Sequence, residues 1–129
     1  MWGCRLKILI AEDEPISNLW LKTLLTKWGY EVISTRSGGE AWKLLSSDDP
    51  PEIAILDWEM PEMKGIEVCY KVRKELQNNK FYLILLTGRD LEEDVALGLE
   101  AGADDFIKKP FTNEELRTKL SSGKKKLKL

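Results

Sequence analysis

The chain has 129 residues, 43% of them hydrophobic and 33% charged, and its 20 basic and 22 acidic side chains leave a net charge of −2. That size suits one core, the mix of apolar and charged residues excludes the disordered and membrane-embedded classes, and the near-neutral charge gives no electrostatic ground for binding nucleic acid or an anionic membrane. No apolar run approaches the ~20 residues that span a bilayer, and the opening "MWGCRLKILIAED" has too short a hydrophobic stretch for a secretory signal, so a cytoplasmic location is expected.

The first apolar run, "KILIA" (7–11), is short and continuous, as a strand covered on both faces reads. "EPISNLWLKTLLTKWG" follows with helical period. Pro15 suits its first turn, Ile16, Leu19, Trp20, Leu24 and Trp28 make the expected apolar stripe, and Gly29 suits a left-handed stop. A second strand, "YEVIS" (30–34), leads to "SGGEAWKLLS", where Ser37 and Glu40 have capping-box spacing although two glycines weaken the first turn. The third strand, "IAIL" (53–56), stops on Asp57, and "KGIEVCYKVRKEL" then sets Ile66, Cys69, Val72 and Leu76 at helical spacing. The fourth strand, "FYLILL" (81–86), ends at Thr87, and "DLEEDVALGLEAG" opens with Asp90 three residues before Glu93 and closes at Gly102. The fifth, "DFIK" (105–108), precedes "TNEELRTKL", where Thr112 and Glu115 repeat the capping spacing. Alternation of this kind predicts right-handed βαβ units: an α/β, doubly wound, five-stranded parallel sheet with helices on both faces. The domain is expected over residues 1–120, with "SSGKKKLKL" (121–129) as a basic, solvated tail.

Cys4 and Cys69 lack the spacing of a metal site or a disulfide framework, and the chain has no histidine, the usual general base and zinc ligand. Function must rest on carboxylates, hydroxyls and lysines. In a doubly wound sheet the carboxyl ends of the strands open on one edge, where ligands bind. Strand one ends in Glu12 and Asp13, strand three in Asp57, strand four in Thr87, and strand five runs through Lys108 and Lys109 into Pro110, whereas strand two offers only Ser34 and Thr35. Carboxylates converging there repel by roughly 4 kcal/mol per close pair at an effective dielectric near 20, so they call for a cation. Magnesium takes a few carboxylates and leaves positions for phosphoryl oxygens, and Glu12, Asp13 and Asp57 suit it better than zinc or iron. Asp57 then reads as a carboxylate nucleophile towards phosphorus, with the metal and a lysine from the exit of strand five holding the charge of the transferring group and Thr87 donating to one of its oxygens. A structural reading of Asp13 alone is a helix N-cap.

Through "ILIAEDE", "ILDWEMPEMKGIE", "ILLTG", "GLEAGADDFIKKPF" and "EEL", over about residues 5–120, the chain resembles a response-regulator receiver domain, the CheY-like phosphoacceptor of two-component signalling. The resemblance implies the flavodoxin-like strand order 2-1-3-4-5. It implies that Asp57 is phosphorylated by a partner histidine kinase or phosphotransfer protein, and that Glu12 and Asp13 hold Mg²⁺ with Asp57 and the backbone carbonyl of Glu59. Thr87 and Lys109 would bind the phosphoryl group, and Phe106 would be the aromatic that changes rotamer together with Thr87. Lys108 stands outside the motif, whose lysine directly precedes "PF". The resemblance further implies a reader, an output domain or effector, on the face of the fourth helix, fifth strand and fifth helix, and it is compatible with a phosphorylation-dependent homodimer. By the same likeness residues 121–129 are the start of a linker to an output domain.

Some positions depart from the commonest pattern. Glu12 stands where aspartate is usual, Phe106 lacks the hydroxyl of the frequent tyrosine, and Glu59 and Arg89 occupy positions that tune access of the hydrolytic water. Gly65 is expected at a turn of positive φ, and the Lys109–Pro110 bond is expected cis. The protein is thus expected to be no enzyme beyond its own phosphorylation and dephosphorylation. The enzymatic alternative is a Mg²⁺-dependent phosphohydrolase of the haloacid dehalogenase type, with an aspartyl-phosphate intermediate and Glu59 as general acid and base. A receiver-shaped module that is never phosphorylated is disfavoured by the intact acid, hydroxyl and lysine set. The five tryptophans read as packing or surface aromatics.

Overall fold

A computed structural model describes residues 6–76, 80–88 and 92–129. Trp2, Cys4, Arg89 and the expected Asp90 cap lie outside the described residues, as does the Glu93 side chain. The elements run β1 (Lys7–Ala11), α1 (Pro15–Lys27), β2 (Glu31–Thr35), α2 (Gly38–Leu45), β3 (Ile53–Asp57), α3 (Gly65–Lys71), β4 (Tyr82–Thr87), α4 (Glu92–Ala101), β5 (Asp105–Lys108) and α5 (Asn113–Leu127). The strands pair in parallel in the order β2-β1-β3-β4-β5, the flavodoxin-like order expected. Among the described residues no helix is long and apolar enough to cross a membrane.

The continuous apolar strands divide by their period of two. Leu9, Ala54, Leu56, Leu83 and Leu85 face one way and pack on Ala41, Leu45, Val68 and Cys69 of α2 and α3. Ile8, Ile10, Ile53, Ile55, Ile84 and Leu86 face the other way, onto Leu21, Leu25, Leu116 and Leu120 of α1 and α5. Each buried leucine, isoleucine or valine among them contributes about 1.5–3 kcal/mol, so the two half-cores fix the sheet, and with it the geometry of its carboxyl edge.

One expectation is corrected. The buried face of α1 is Asn18, Leu21 and Leu25, with Leu24 and Trp28 at its margin, while Ile16 and Leu19 are 77% and 64% exposed. Residues 121–127, read from the sequence as either a solvated tail or the start of a linker, are the last turns of α5. Gly123 packs on the Tyr82 ring, Leu127 joins the core of α1 and α5, and the ammonium groups of Lys124 and Lys126 lie over the Tyr30 and Tyr82 rings.

The predicted helix ends are found: Gly29 and Gly102 take φ of 95° and 110°, and Ser37 and Thr112 cap α2 and α5 through the Glu40 and Glu115 amides. Beyond α3 the chain continues as a π-helical turn, Val72–Leu76. From it Arg73 donates to the Gly102 carbonyl at 2.9 Å, to the Phe81 carbonyl at 3.2 Å and to the Asp104 carboxylate. Asp104 also accepts from the Leu83 amide at 2.8 Å and from Lys126 at 2.7 Å. This network ties the amino ends of β4 and β5, opposite the edge that carries the acids.

Candidate functional site

The carboxyl edge brings together side chains that are far apart in the chain. Glu12 and Asp13 follow β1, Asp57 ends β3, Thr87 ends β4, and Lys109 follows β5. The Lys109 Nζ lies 2.9 Å from Asp57 Oδ1 and 3.0 Å from Glu12 Oε1. One carboxylate oxygen each from Glu12, Asp13 and Asp57 lie within 4.8 Å of one another. Glu12 is 1% exposed and Asp57 8%, so the lysine and these two acids form the floor, and the exposed Asp13 forms the rim.

Local structure accounts for each position. The N-cap of α1 is Glu14, whose carboxylate accepts from the amides of Ser17 at 2.9 Å and Ile16 at 3.1 Å, so the alternative expected for Asp13 falls to its neighbour. Those backbone hydrogen bonds hold the Glu14 carboxyl below its ordinary range. Asn18, a polar residue on the buried face of α1, donates to the Glu12 carbonyl at 2.9 Å and the Thr35 carbonyl at 3.0 Å. Ser34 donates back to Asn18, and the Thr35 hydroxyl donates to the Ile10 carbonyl at 2.8 Å. The two hydroxyl residues of β2 are therefore braces for β1. Asn18 is the residue of this group that sequence reasoning missed, and its signal is an amide on a helix face otherwise lined with leucine.

The loop after Asp57 is held by close backbone approaches. A Cβ at Gly65 would lie 2.3 Å from the Asp57 carbonyl, which is the reason for a glycine there, whereas the positive φ expected at Gly65 is found at Glu62, at 69°. Around Glu62 the Met63 amide donates to the Pro61 carbonyl at 2.7 Å. The Glu62 carboxylate accepts from Ser37 at 2.8 Å, and a Cβ at Gly38 or Gly39 would lie 1.8 Å from the Met63 carbonyl or 2.1 Å from the Glu62 carboxylate. Trp58 is buried, its amide donating to the Leu86 carbonyl at 2.9 Å, while Glu59 is exposed with its carboxylate 3.9 Å from Lys64. Phe106, opposite Leu85 in the β4–β5 pairing, is half-buried, and Lys108 is exposed. The Lys109 amide donates to the Thr87 carbonyl at 2.8 Å, and the Lys109–Pro110 bond is cis.

The electrostatics follow from burial. Asp57 is pushed up to about 6, chiefly because it is desolvated; Lys109 works against this and the Glu12 charge adds to it. Burial pulls the Lys109 ammonium down, but its hydrogen bonds to Asp57 and Glu12 outweigh that and hold it above its usual value. Glu12 and Asp57 thus share one ammonium, with Asp13 beside them, and the donor set, all hard oxygen without thiolate or imidazole, fits a magnesium-like cation. By contrast, burial pushes the Cys69 thiol up to about 12, which makes it an inert core residue.

Residues 8–121 match the family described as the response regulator receiver domain. A chemotaxis protein CheY homolog of Campylobacter jejuni is 35% identical over 116 residues, covering 89% of each chain. The alkaline phosphatase synthesis transcriptional regulatory protein PhoP of Bacillus subtilis is 38% identical over 116 residues, 90% of this chain but 47% of that longer protein. Among solved structures, the receiver domain of a sensor histidine kinase of Pseudomonas aeruginosa superposes with a TM-score of 0.81 at 26% identity, covering 92% of this chain and 97% of that one. That structure holds a magnesium ion in its active site cleft. On the family match and the identity to these relatives, this chain belongs to the response-regulator receiver domains of two-component signalling.

Proposed function

We propose that this receiver domain is a phosphorylation-controlled switch in which Asp57 takes a phosphoryl group from the phosphohistidine of a partner histidine kinase or phosphotransfer protein. The observation that carries the reading is one ammonium, Lys109, set against Asp57 and Glu12 at 2.9 and 3.0 Å, with Asp13 in the same oxygen cluster. A carboxylate oxygen of Asp57 forms the bond to phosphorus as the donor's phosphorus–nitrogen bond breaks, and the imidazole leaves with the electron pair. Lys109 balances charge spreading over the phosphoryl oxygens, and the Thr87 hydroxyl donates to one of them. Glu12, Asp13, Asp57 and the Glu59 backbone carbonyl would hold Mg²⁺, which when bound neutralises the phosphoryl charge.

The phosphoryl group adds about −1.5 to −2 charge beside Thr87 and Lys109 and biases Thr87 and Phe106 towards a second arrangement. The face of α4, β5 and α5, with Val95 and Leu99 exposed on α4, is what an output domain, an effector or a second copy would read, by binding the two states with different affinity. Ile16, Leu19 and Trp20, exposed on the first turns of α1, give a donor protein apolar ground beside Asp13. In this reading the protein is cytoplasmic, touches no nucleic acid directly, and catalyses only its own phosphorylation and dephosphorylation.

Incubation with Mg²⁺ and acetyl phosphate should give the wild type one base- and hydroxylamine-labile phosphate and give Asp57→Asn none. Labelling of the variant at the wild-type level would move the acceptor elsewhere. Steady turnover of p-nitrophenyl phosphate would favour the phosphohydrolase instead.

A further inference from the structure

α4 carries a glycine, Gly98, in its interior, where glycine weakens a helix more than any residue except proline. Gly98 is buried, and a Cβ placed there would lie 2.3 Å from Cζ of Phe106, 2.7 Å from its Cε1 and 3.1 Å from Cδ1 of Leu85. Carbon atoms pack at about 3.5–4.0 Å, so a side chain at position 98 and the Phe106 ring in its present place exclude each other. The ring is the part able to yield. Leu85 is 0% exposed at the centre of β4, whereas Phe106 is half-buried and meets position 98 with the far edge of its ring, which swings away on rotation about χ1.

We propose that Gly98 is a positioning residue for the switch: the space left by its missing side chain is the seat that holds the Phe106 ring against α4. The proposal rests on the reading of Asp57 as phosphoacceptor and Phe106 as the moving aromatic, and it adds the element the ring moves against. Phe106 lies opposite Leu85, two residues before Thr87 on β4. Leu97 and Leu99, the chain neighbours of Gly98, are exposed. A ring that enters or leaves the seat therefore acts on the helix that presents these two leucines, and residue 98 sets the balance between seated and unseated states.

The chain has three phenylalanines, so selective ring labelling resolves Phe106 by NMR. In Gly98→Ala, without phosphodonor, the Phe106 ring signals should move to a solvent-exposed environment while those of Phe81 and Phe111 stay. Acetyl phosphate should still label Asp57 to the wild-type level, yet no longer shift Phe106 as it does in wild type. In a Phe106→Ala background, Gly98→Ala should lose its effect on the denaturation midpoint or raise it, which keeps the test open if the single variant folds poorly. Unmoved Phe106 signals in Gly98→Ala, or the same midpoint change in both backgrounds, would overturn the seat. If Gly98→Ala displaces the ring while wild type takes no phosphate, the seat stands and the phosphoacceptor reading falls. If wild type is labelled but the ring stays put in Gly98→Ala, the seat falls and that reading stands.

Discussion

Asp57→Asn should stabilise the metal-free protein above pH 6 and leave it nearly unchanged below about pH 4. Burial is the main reason the Asp57 carboxyl is pushed from 3.8 to about 6, with Lys109 opposing and Glu12 adding. The folded state therefore holds this proton more tightly than the unfolded chain. The stability that results is fully present below pH 3.8 and is lost as pH rises through about 6. At about 1.36 kcal/mol for each tenfold in proton affinity, the rise from 3.8 to about 6 makes the loss about 3 kcal/mol at most. Asparagine carries no charge and escapes the loss. Urea unfolding of both proteins across this pH range, with EDTA present, should show the gap opening between pH 4 and 7 at unchanged slope. Added Mg²⁺ should shrink the gap, because metal binding favours the ionised acid of the wild type. A gap independent of pH, or a wild type more stable than the variant at pH 8, would show that pairing with Lys109 outweighs desolvation and would refute the reasoning.

Lys109→Met removes the ammonium shared by Asp57 and Glu12, so Asp57 should titrate above 6 by carboxyl-carbon NMR, and phosphate labelling should persist in part without shifting the Phe106 signals. Asp104→Ala strips partners from Arg73, Lys126 and the Leu83 amide at a largely buried position and should cost about 2–4 kcal/mol in urea unfolding, with labelling of Asp57 retained.

Strand positions were legible because both faces of the sheet are covered, so that runs such as "IAIL" stand out against polar loops. The convergence of Glu12, Asp13, Asp57 and Lys109 was legible through one rule, that parallel strands release their carboxyl ends on the same edge. The facing of α1 was not. With Ile16, Leu19, Trp20, Leu21, Leu24, Leu25 and Trp28 spread around its circumference, several stripes fit the period, and Asn18 argued against the one that is buried. The lysine-rich end was left open between tail and linker for a related reason. Lysine is a good helix former whose apolar stem packs while its ammonium stays wet, so composition hides the contacts that Gly123 and Leu127 make. The Gly38–Gly39 pair read as a weak first turn, and only the partner surface, residues 61–63, explains why neither position carries a side chain.

That glycine pair makes the molecule lopsided in its give. With Gly38 against the Met63 carbonyl, Gly39 against the Glu62 carboxylate and Gly65 backed onto the Asp57 carbonyl, the acceptor loop is closely packed on the α2 and α3 flank. Under the proposed phosphorylation of Asp57, a push delivered there would have least room in that direction and would be steered across the sheet to β4 and β5, where the half-buried Phe106 ring and the Lys109 stem lie.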